Sequence, residues 1–414
     1  MSDDLLHAGS RPSRSRRSAI GRVLELVGRR MVRNRLQGQL RLTLPDGHQL
    51  VLGQTSTGGF DAELKVNSYR VLEKCILRGT VGFGEAYMAG DIDCSDLVSL
   101  FRFFLINRSA FHAAGGSLFK VRIGDKLVHW RRRNTLAGSR RNIADHYDMG
   151  NDFYALWLDP TMTYSSALFD GDNISLEAAQ RAKYDRVLEL TGVHGSGSIL
   201  EVGCGWGGMA EHGALAGLTV DGITLSARQL DFARQRMKRQ QLDGKVRLAL
   251  KDYRQVQGQY DAIVSIEMVE AVGEENWPAY FSMLSQRLKP GGRAVIQAIT
   301  IAPEHFERYR AKVDFIQRYV FPGGMLLTDN AIARHATEQG MTLTHTRKFG
   351  RDYARTLRAW RQQFNAAWGD IAPLGYDDRF KRMWLYYLSY CEAGFDDGAI
   401  DVGFYVLNKP AHGV

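Results

Sequence analysis

The sequence predicts an α/β protein: a doubly wound, Rossmann-like, mainly parallel sheet preceded by a smaller α+β domain. Three observations carry this. The apolar segment Ser198-Ile199-Leu200 runs into Glu201-Val202-Gly203-Cys204-Gly205-Trp206-Gly207-Gly208, and residues 209–215 suit a helix. Strand, glycine-rich turn and helix form the first unit of a nucleotide-binding sheet, because the turn takes positive φ and lets a ligand touch bare backbone. Apolar strands then recur at 198–203, 219–224, 246–250, 260–266 and 293–299 with helical stretches between them, the order of a parallel sheet with ligands at its carboxyl edge. Upstream, residues 38–120 alternate with the period of strands.

In chain order, the 414 residues suffice for two or three domains. Residues 1–37 form a basic tail and helix: nine arginines fall within 11–35 against the single acid Glu25, and Ile20, Val23, Leu24, Val27 and Met31 share one helical face. Such a segment suits an anionic membrane surface, and equally a solvated tail whose helix packs on its own domain; no nucleic-acid reader motif accompanies the charge. Leu40, Leu42 and Leu44, the turn Pro45-Asp46-Gly47, then Leu50 and Leu52 read as a hairpin, and Leu97–Ile106 as a buried or lipid-facing helix. Residues 121–145, with Arg131-Arg132-Arg133 and Arg140-Arg141, form a basic linker, and 146–414 hold every chemical motif.

Composition narrows the classes. Net charge is +9 and the apolar fraction 44%. No apolar run has the length of a membrane span and no secretory signal is visible. Cys75, Cys94, Cys204 and Cys391 are far apart, so neither a disulfide framework nor a metal site is expected. These features fit a cytoplasmic protein resting peripherally on the inner face of the membrane. A homodimer is expected.

The glycine run nearly fits two cofactors. Gly203-x-Gly205-x-x-Gly208 is the dinucleotide fingerprint; Glu-x-Gly-x-Gly-x-Gly resembles the first motif of S-adenosylmethionine-dependent methyltransferases of class I. Three neighbours favour the second. Glu201 stands two residues before the first glycine, the segment 218–225 carries Asp221 within it and Thr224 near its tip, and Leu288-Lys289-Pro290-Gly291-Gly292 makes a turn before a late strand.

Further motifs extend the likeness. His146-Tyr147-Asp148-Met149-Gly150-Asn151-Asp152-Phe153-Tyr154, Leu158-Asp159-Pro160-Thr161-Met162-Thr163-Tyr164-Ser165-Ser166-Ala167, Ser265-Ile266-Glu267-Met268-Val269-Glu270-Ala271-Val272-Gly273 and Asp314-Phe315-Ile316-Gln317-Arg318-Tyr319-Val320-Phe321-Pro322-Gly323-Gly324 appear in that order. The chain from about 146 to 409 thereby resembles the cyclopropane-fatty-acyl-phospholipid synthases, a family that includes the mycolic acid cyclopropane synthases; Glu85-Ala86-Tyr87-Met88-Ala89-Gly90-Asp91 extends the likeness more loosely upstream.

The resemblance implies methyl transfer from S-adenosylmethionine to a cis double bond of an unsaturated phospholipid at the membrane surface. Such a reaction leaves a carbocation on the acyl chain. The site must be dry, aromatic faces can stabilise the cation, and a base must remove a proton so that the ring closes. The family's base is a bound bicarbonate. Carried over, its site is Glu270, Tyr353 and the backbone at Ile299, with Ser166 standing where the family has cysteine and Gln297 where it has histidine; both keep a donor and an acceptor. The same likeness assigns Gly203, Cys204 and Gly205 to the methionine side of the cofactor, and Glu201 and Gly207 to its binding site. Tyr164 and Ser165 fall at its carboxylate and amine end, Thr224 and Gln229 at the ribose, and Asp252 and Tyr253 at the adenine. The departures at Ser166 and Gln297 leave a methylene- or methyl-branched product open beside the ring. More distant alternatives are a small-molecule methyltransferase and an inactive lipid-binding homologue. His146 reads equally as a ligand and as a capping or core residue.

Overall fold

In the computed structural model of the chain, the structure describes residues 36–54, 61–115 and 149–411. The basic segment at 11–35, the linker 121–145 and His146 lie outside them. Alternation builds the first strands as expected. β1 (Gly38–Thr43) and β2 (Gln49–Gln54) pair antiparallel with Leu40 opposite Leu52 and Leu42 opposite Leu50. Their turn is closed by the Leu44 amide donating to the His48 carbonyl at 2.8 Å. β3 (Asp61–Val66) runs parallel to β1 and buries every second residue, Ala62, Leu64 and Val66. The short β4 (Ile92–Asp93) completes a sheet of order β2-β1-β3-β4.

The helix Leu97–Ile106 starts at Asp96, whose carboxylate accepts the Val98 and Ser99 amides. Its apolar face is buried in protein, with Leu97, Val98, Leu100, Phe101 and Phe103 all inside. The partner is the long helix Asp378–Asp397: the Phe101 ring stands edge-on to Tyr386 at 4.9 Å and to Tyr390 at 5.5 Å. Arg382 reaches across the same junction to Asp93 at 2.7 Å, and Arg108 pairs with Asp397 at 2.8 Å. One continuous apolar cluster therefore runs from Leu40 and Phe103 to Trp384 and Phe404.

The larger sheet has the order β10-β11-β9-β8-β5-β6-β7. β5 (Ser198–Val202), β6 (Thr219–Thr224), β7 (Val246–Leu250), β8 (Tyr260–Ile266) and β9 (Leu288–Ile301) are parallel and coincide with the five expected strands. β9 begins earlier than the sequence suggests. The expected turn at Leu288-Lys289-Pro290-Gly291-Gly292 is an irregularity inside the strand: Tyr260 faces Leu288, but Ala262 already faces Arg293. β10 (Thr342–Lys348) and β11 (Ile400–Asn408) were not anticipated and add an antiparallel edge. The chain leaves β5 towards β6 on one side and returns to β8 on the other. The crevice at that switch opens outside the carboxyl ends of β5 and β8, where a doubly wound sheet binds its ligand.

Candidate active site

At the end of β5 the glycines divide their work. The Gly203 and Cys204 amides both donate to the Ile223 carbonyl, at 3.0 and 2.9 Å, which folds the loop over the tip of β6. Gly203, Gly205 and Gly207 all have positive φ, at 87°, 51° and 82°. A methyl group on Gly203 would meet Met268 Cγ at 2.8 Å, and one on Gly207 would meet Ala233 Cβ at 3.0 Å. At Gly205 it would meet no atom within 4 Å, so open space adjoins this glycine.

Around that space lie polar groups with unmet capacity. Glu201 is buried and its Oε2 has no hydrogen-bond partner. Burial pushes its carboxyl up to about 8, against the pull of Lys183 and Arg236. The Tyr253 hydroxyl is also buried without a partner. Thr224 donates to Gln229 Oε1 at 3.2 Å, joining the tip of β6 to the helix Ala227–Arg239. Asp252 is less open than expected, since Arg254 reaches its two oxygens through Nε and Nη2, each at 2.8 Å. The Tyr164 hydroxyl lies 2.9 Å from that of Tyr387, and Ser165 Oγ accepts from Lys183 Nζ at 2.7 Å. Acceptors at strand tips, bare backbone at Gly205 and an orphaned acid beside the loop fit S-adenosylmethionine, whose ammonium and ribose hydroxyls need acceptors.

The second half of the site gathers around a residue that the sequence reading passed over. Glu267 follows the last residue of β8, at φ 48°, a left-handed conformation costly for a side chain with Cβ. Its Oε1 accepts the Ser166 amide at 2.8 Å and Gln297 Nε2 at 2.7 Å; its Oε2 accepts the Tyr353 hydroxyl at 2.7 Å. Ile266 lies opposite Gln297 in the β8–β9 pairing, Ile299 is two residues further along β9, and Tyr353 comes from the helix Gly350–Ala366. Thus Ser166, Gln297 and Tyr353 converge as expected, but on a carboxylate of the chain. Ser166 contributes its backbone, while its hydroxyl donates to the Ala167 carbonyl at 3.0 Å.

Glu270 sits one turn further on. Its Oε1 accepts the Ile299 amide at 2.5 Å, and its Oε2 is buried without a partner. Burial, then the neighbouring Glu267 charge, pushes its carboxyl up to about 8, against the Ile299 amide. Glu267 is also raised by burial, yet Tyr353, Ser166, Lys183 and Gln297 all favour its ionised form. With three donors against one, Glu267 carries the negative charge of the pair and Glu270 the proton at neutral pH. Lys183, fully buried on the helix Leu176–Thr191, lies within the fields of Glu267, Asp159 and Glu201; burial lowers its ammonium to about 7. The sequence signals for these two were present but slight: Glu267 and Glu270 are acids three apart in an otherwise apolar run, and Lys183 interrupts the buried face of its helix.

Aromatic rings wall this cluster. Tyr164 is 5.1 Å from Trp360 and 6.3 Å from Phe321, Phe321 is 6.0 Å from Tyr387, and Tyr353 packs between Trp360 and Phe395. A glycine loop between β5 and the helix Gly208–Leu215, next to buried carboxylates and π faces, marks a class I S-adenosylmethionine-dependent methyltransferase. The family profile described as mycolic acid cyclopropane synthetase matches residues 135–404, and the chain belongs to that family. It is 38% identical over 387 residues to a tuberculostearic acid methyltransferase of Mycobacterium tuberculosis, covering 88% of this chain and 86% of the relative. It is 35% identical over 356 residues to a cyclopropane-fatty-acyl-phospholipid synthase of Escherichia coli, covering 83% and 87%. The crystal structure of mycolic acid cyclopropane synthase CmaA1 complexed with SAH and CTAB superposes with a TM-score of 0.61 at 31% identity, over 65% of this chain and 98% of that one.

Two outcomes follow from this geometry. Gly205→Ala places its methyl in ligand space at a cost to the fold of only about 1 kcal/mol for left-handed backbone. S-adenosylmethionine affinity should fall at least tenfold by calorimetry while the circular dichroism spectrum is retained; unchanged affinity would remove the loop from the cofactor site. The second outcome concerns pH. Glu270 has a folded-state pKa near 8 against an ordinary 4.5, so ionisation increasingly favours the unfolded chain as pH rises through that window. Glu270→Gln should therefore gain stability relative to the parent between pH 5 and pH 8, read by urea denaturation; an equal difference at both pH values would refute the assigned proton.

Proposed function

We propose that the chain transfers the methyl group of S-adenosylmethionine to the cis double bond of an unsaturated phospholipid acyl chain and closes a cyclopropane ring. The observation that carries this reading is the pair of buried carboxylates beside the glycine loop, walled by Tyr164, Phe321, Trp360 and Tyr387. When bound, S-adenosylmethionine supplies an electrophilic methyl on sulfur. Residues of the chain do the rest. Gly203–Gly207 and Glu201 fix the donor at the crevice, and the aromatic walls exclude water and offer negative π faces to the cation on the lipid. The carboxylate cluster takes the proton whose loss closes the ring. Glu270, Tyr353, Gln297 and the Ile299 backbone are the proposed holders of a bicarbonate base; a base within the chain is the competing possibility.

The position of the base selects the proton, so a methylene- or methyl-branched product is the second reading. The likeness to a tuberculostearic acid methyltransferase favours keeping it. Mass spectrometry of lipids from cells expressing the chain should show acyl chains heavier by one CH2 unit. Proton NMR then separates the upfield ring signals from vinylidene or methyl-branch signals. Unaltered acyl chains with methylated small molecules instead would reject the lipid substrate.

The substrate reading brings a membrane surface with it. Among the described residues no helix is long and apolar enough to cross a bilayer. The arginine-rich segment 11–35 is the proposed contact with anionic headgroups, each arginine adding about 1 kcal/mol near the surface. Deleting residues 1–35 should weaken sedimentation with phosphatidylglycerol vesicles more than with phosphatidylcholine vesicles, and the difference should shrink in high salt. Equal loss on both, or none, counts against this role.

A further inference from the structure

We propose that the Glu267 carboxylate is itself the general base, standing where a bound bicarbonate would otherwise be held; this rests on the methyl-transfer reading above. The donors that would cradle a bicarbonate are engaged by Glu267: the Ser166 amide at 2.8 Å, Gln297 Nε2 at 2.7 Å and the Tyr353 hydroxyl at 2.7 Å. A carboxylate and a bicarbonate present the same pair of acceptor oxygens, so the side chain satisfies the anion site without a diffusible ligand. The left-handed backbone at Glu267 supports a functional placement, because a non-glycine residue is held there against its preference.

Position agrees with the role. Met268, the next residue, lies against Gly203 closely enough that a methyl there would come within 2.8 Å of its Cγ, so the Glu267 segment abuts the cofactor loop. Oε1 has two donors and Oε2 one, which leaves Oε2 the oxygen with the available lone pair. Lys183, buried nearby and linked to Ser165 at 2.7 Å, favours the ionised carboxylate before reaction.

The step balances. The alkene π electrons form the new C–C bond as the S–CH3 bond breaks and its electron pair returns to sulfur, leaving a cation on the neighbouring acyl carbon. Oε2 then takes a proton from the transferred methyl, and the released C–H pair closes the third ring bond. Glu267 ends as the neutral acid and gives the proton to solvent before the next turnover. No oxidant or further reactant is needed.

The test uses the full chain, S-adenosylmethionine and monounsaturated phosphatidylglycerol vesicles, in buffer stripped of carbon dioxide and in buffer with added sodium bicarbonate. The parent should turn over equally in both. Glu267→Gln should lose on the order of 10²–10⁴ in kcat in both, with S-adenosylmethionine affinity retained by calorimetry. Glu267→Gly, which reopens the anion position, should be slow in stripped buffer and regain at least tenfold with added bicarbonate or formate. Parent activity that depends on bicarbonate, or a Glu267→Gln variant as fast as the parent, would overturn the assignment while leaving lipid methylation intact. A parent that methylates no lipid in either buffer removes the substrate reading, and this base with it.

Discussion

Four segments of the chain meet at one carboxylate, and the geometry of the site depends on that meeting. Glu267 is reached by the loop at Ser166, by Gln297 on β9 and by Tyr353 on the helix Gly350–Ala366, while it extends β8 itself. A buried negative charge is costly unless donors surround it, so these segments are each held in place by the cost of leaving Glu267 unmet. At its positive φ, Glu267 meets these donors while Met268, the next residue, lies against Gly203. Cofactor loop and base are thus fixed relative to one another through two neighbouring residues.

Proximity of Glu267 and Glu270 sets the protonation of both. The Glu267 charge opposes ionisation of Glu270, and the donors decide which carries it, three on Glu267 and one on Glu270. The pair resembles an acid–base couple in which one member remains charged because the other remains neutral. Lys183 and Glu201 carry this electrostatic chain from the base to the cofactor loop.

Local pattern made much of the architecture legible. The hairpin at Leu40–Leu52, the five parallel strands and the glycine turn each rest on residues close in sequence, where period and turn chemistry speak directly. β10 and β11 escaped because their order in the sheet is a long-range matter: Thr342–Lys348 is largely polar, and Ile400–Asn408 pairs with strands far away in the chain. The site residues Ser166, Gln297, Ile299, Tyr353 and Glu270 were reached through motif likeness, and their convergence is visible in the geometry. Glu267 was passed over for a physical reason. Its partners lie 101, 30 and 86 residues away, and nothing local distinguishes an acid that ends a strand from one that begins a helix.

The long helix Asp378–Asp397 has two clients. Tyr386 receives Phe101 and Tyr87 from the N-terminal unit, while Tyr387 touches Tyr164 and Phe395 stacks on Tyr353. Side chains one residue apart on this helix therefore serve the N-terminal helices and the aromatic wall of the site respectively. The N-terminal unit is less an appendage than a mould against which one wall of the reaction chamber is cast, and severing it would leave that wall with a bare aromatic back.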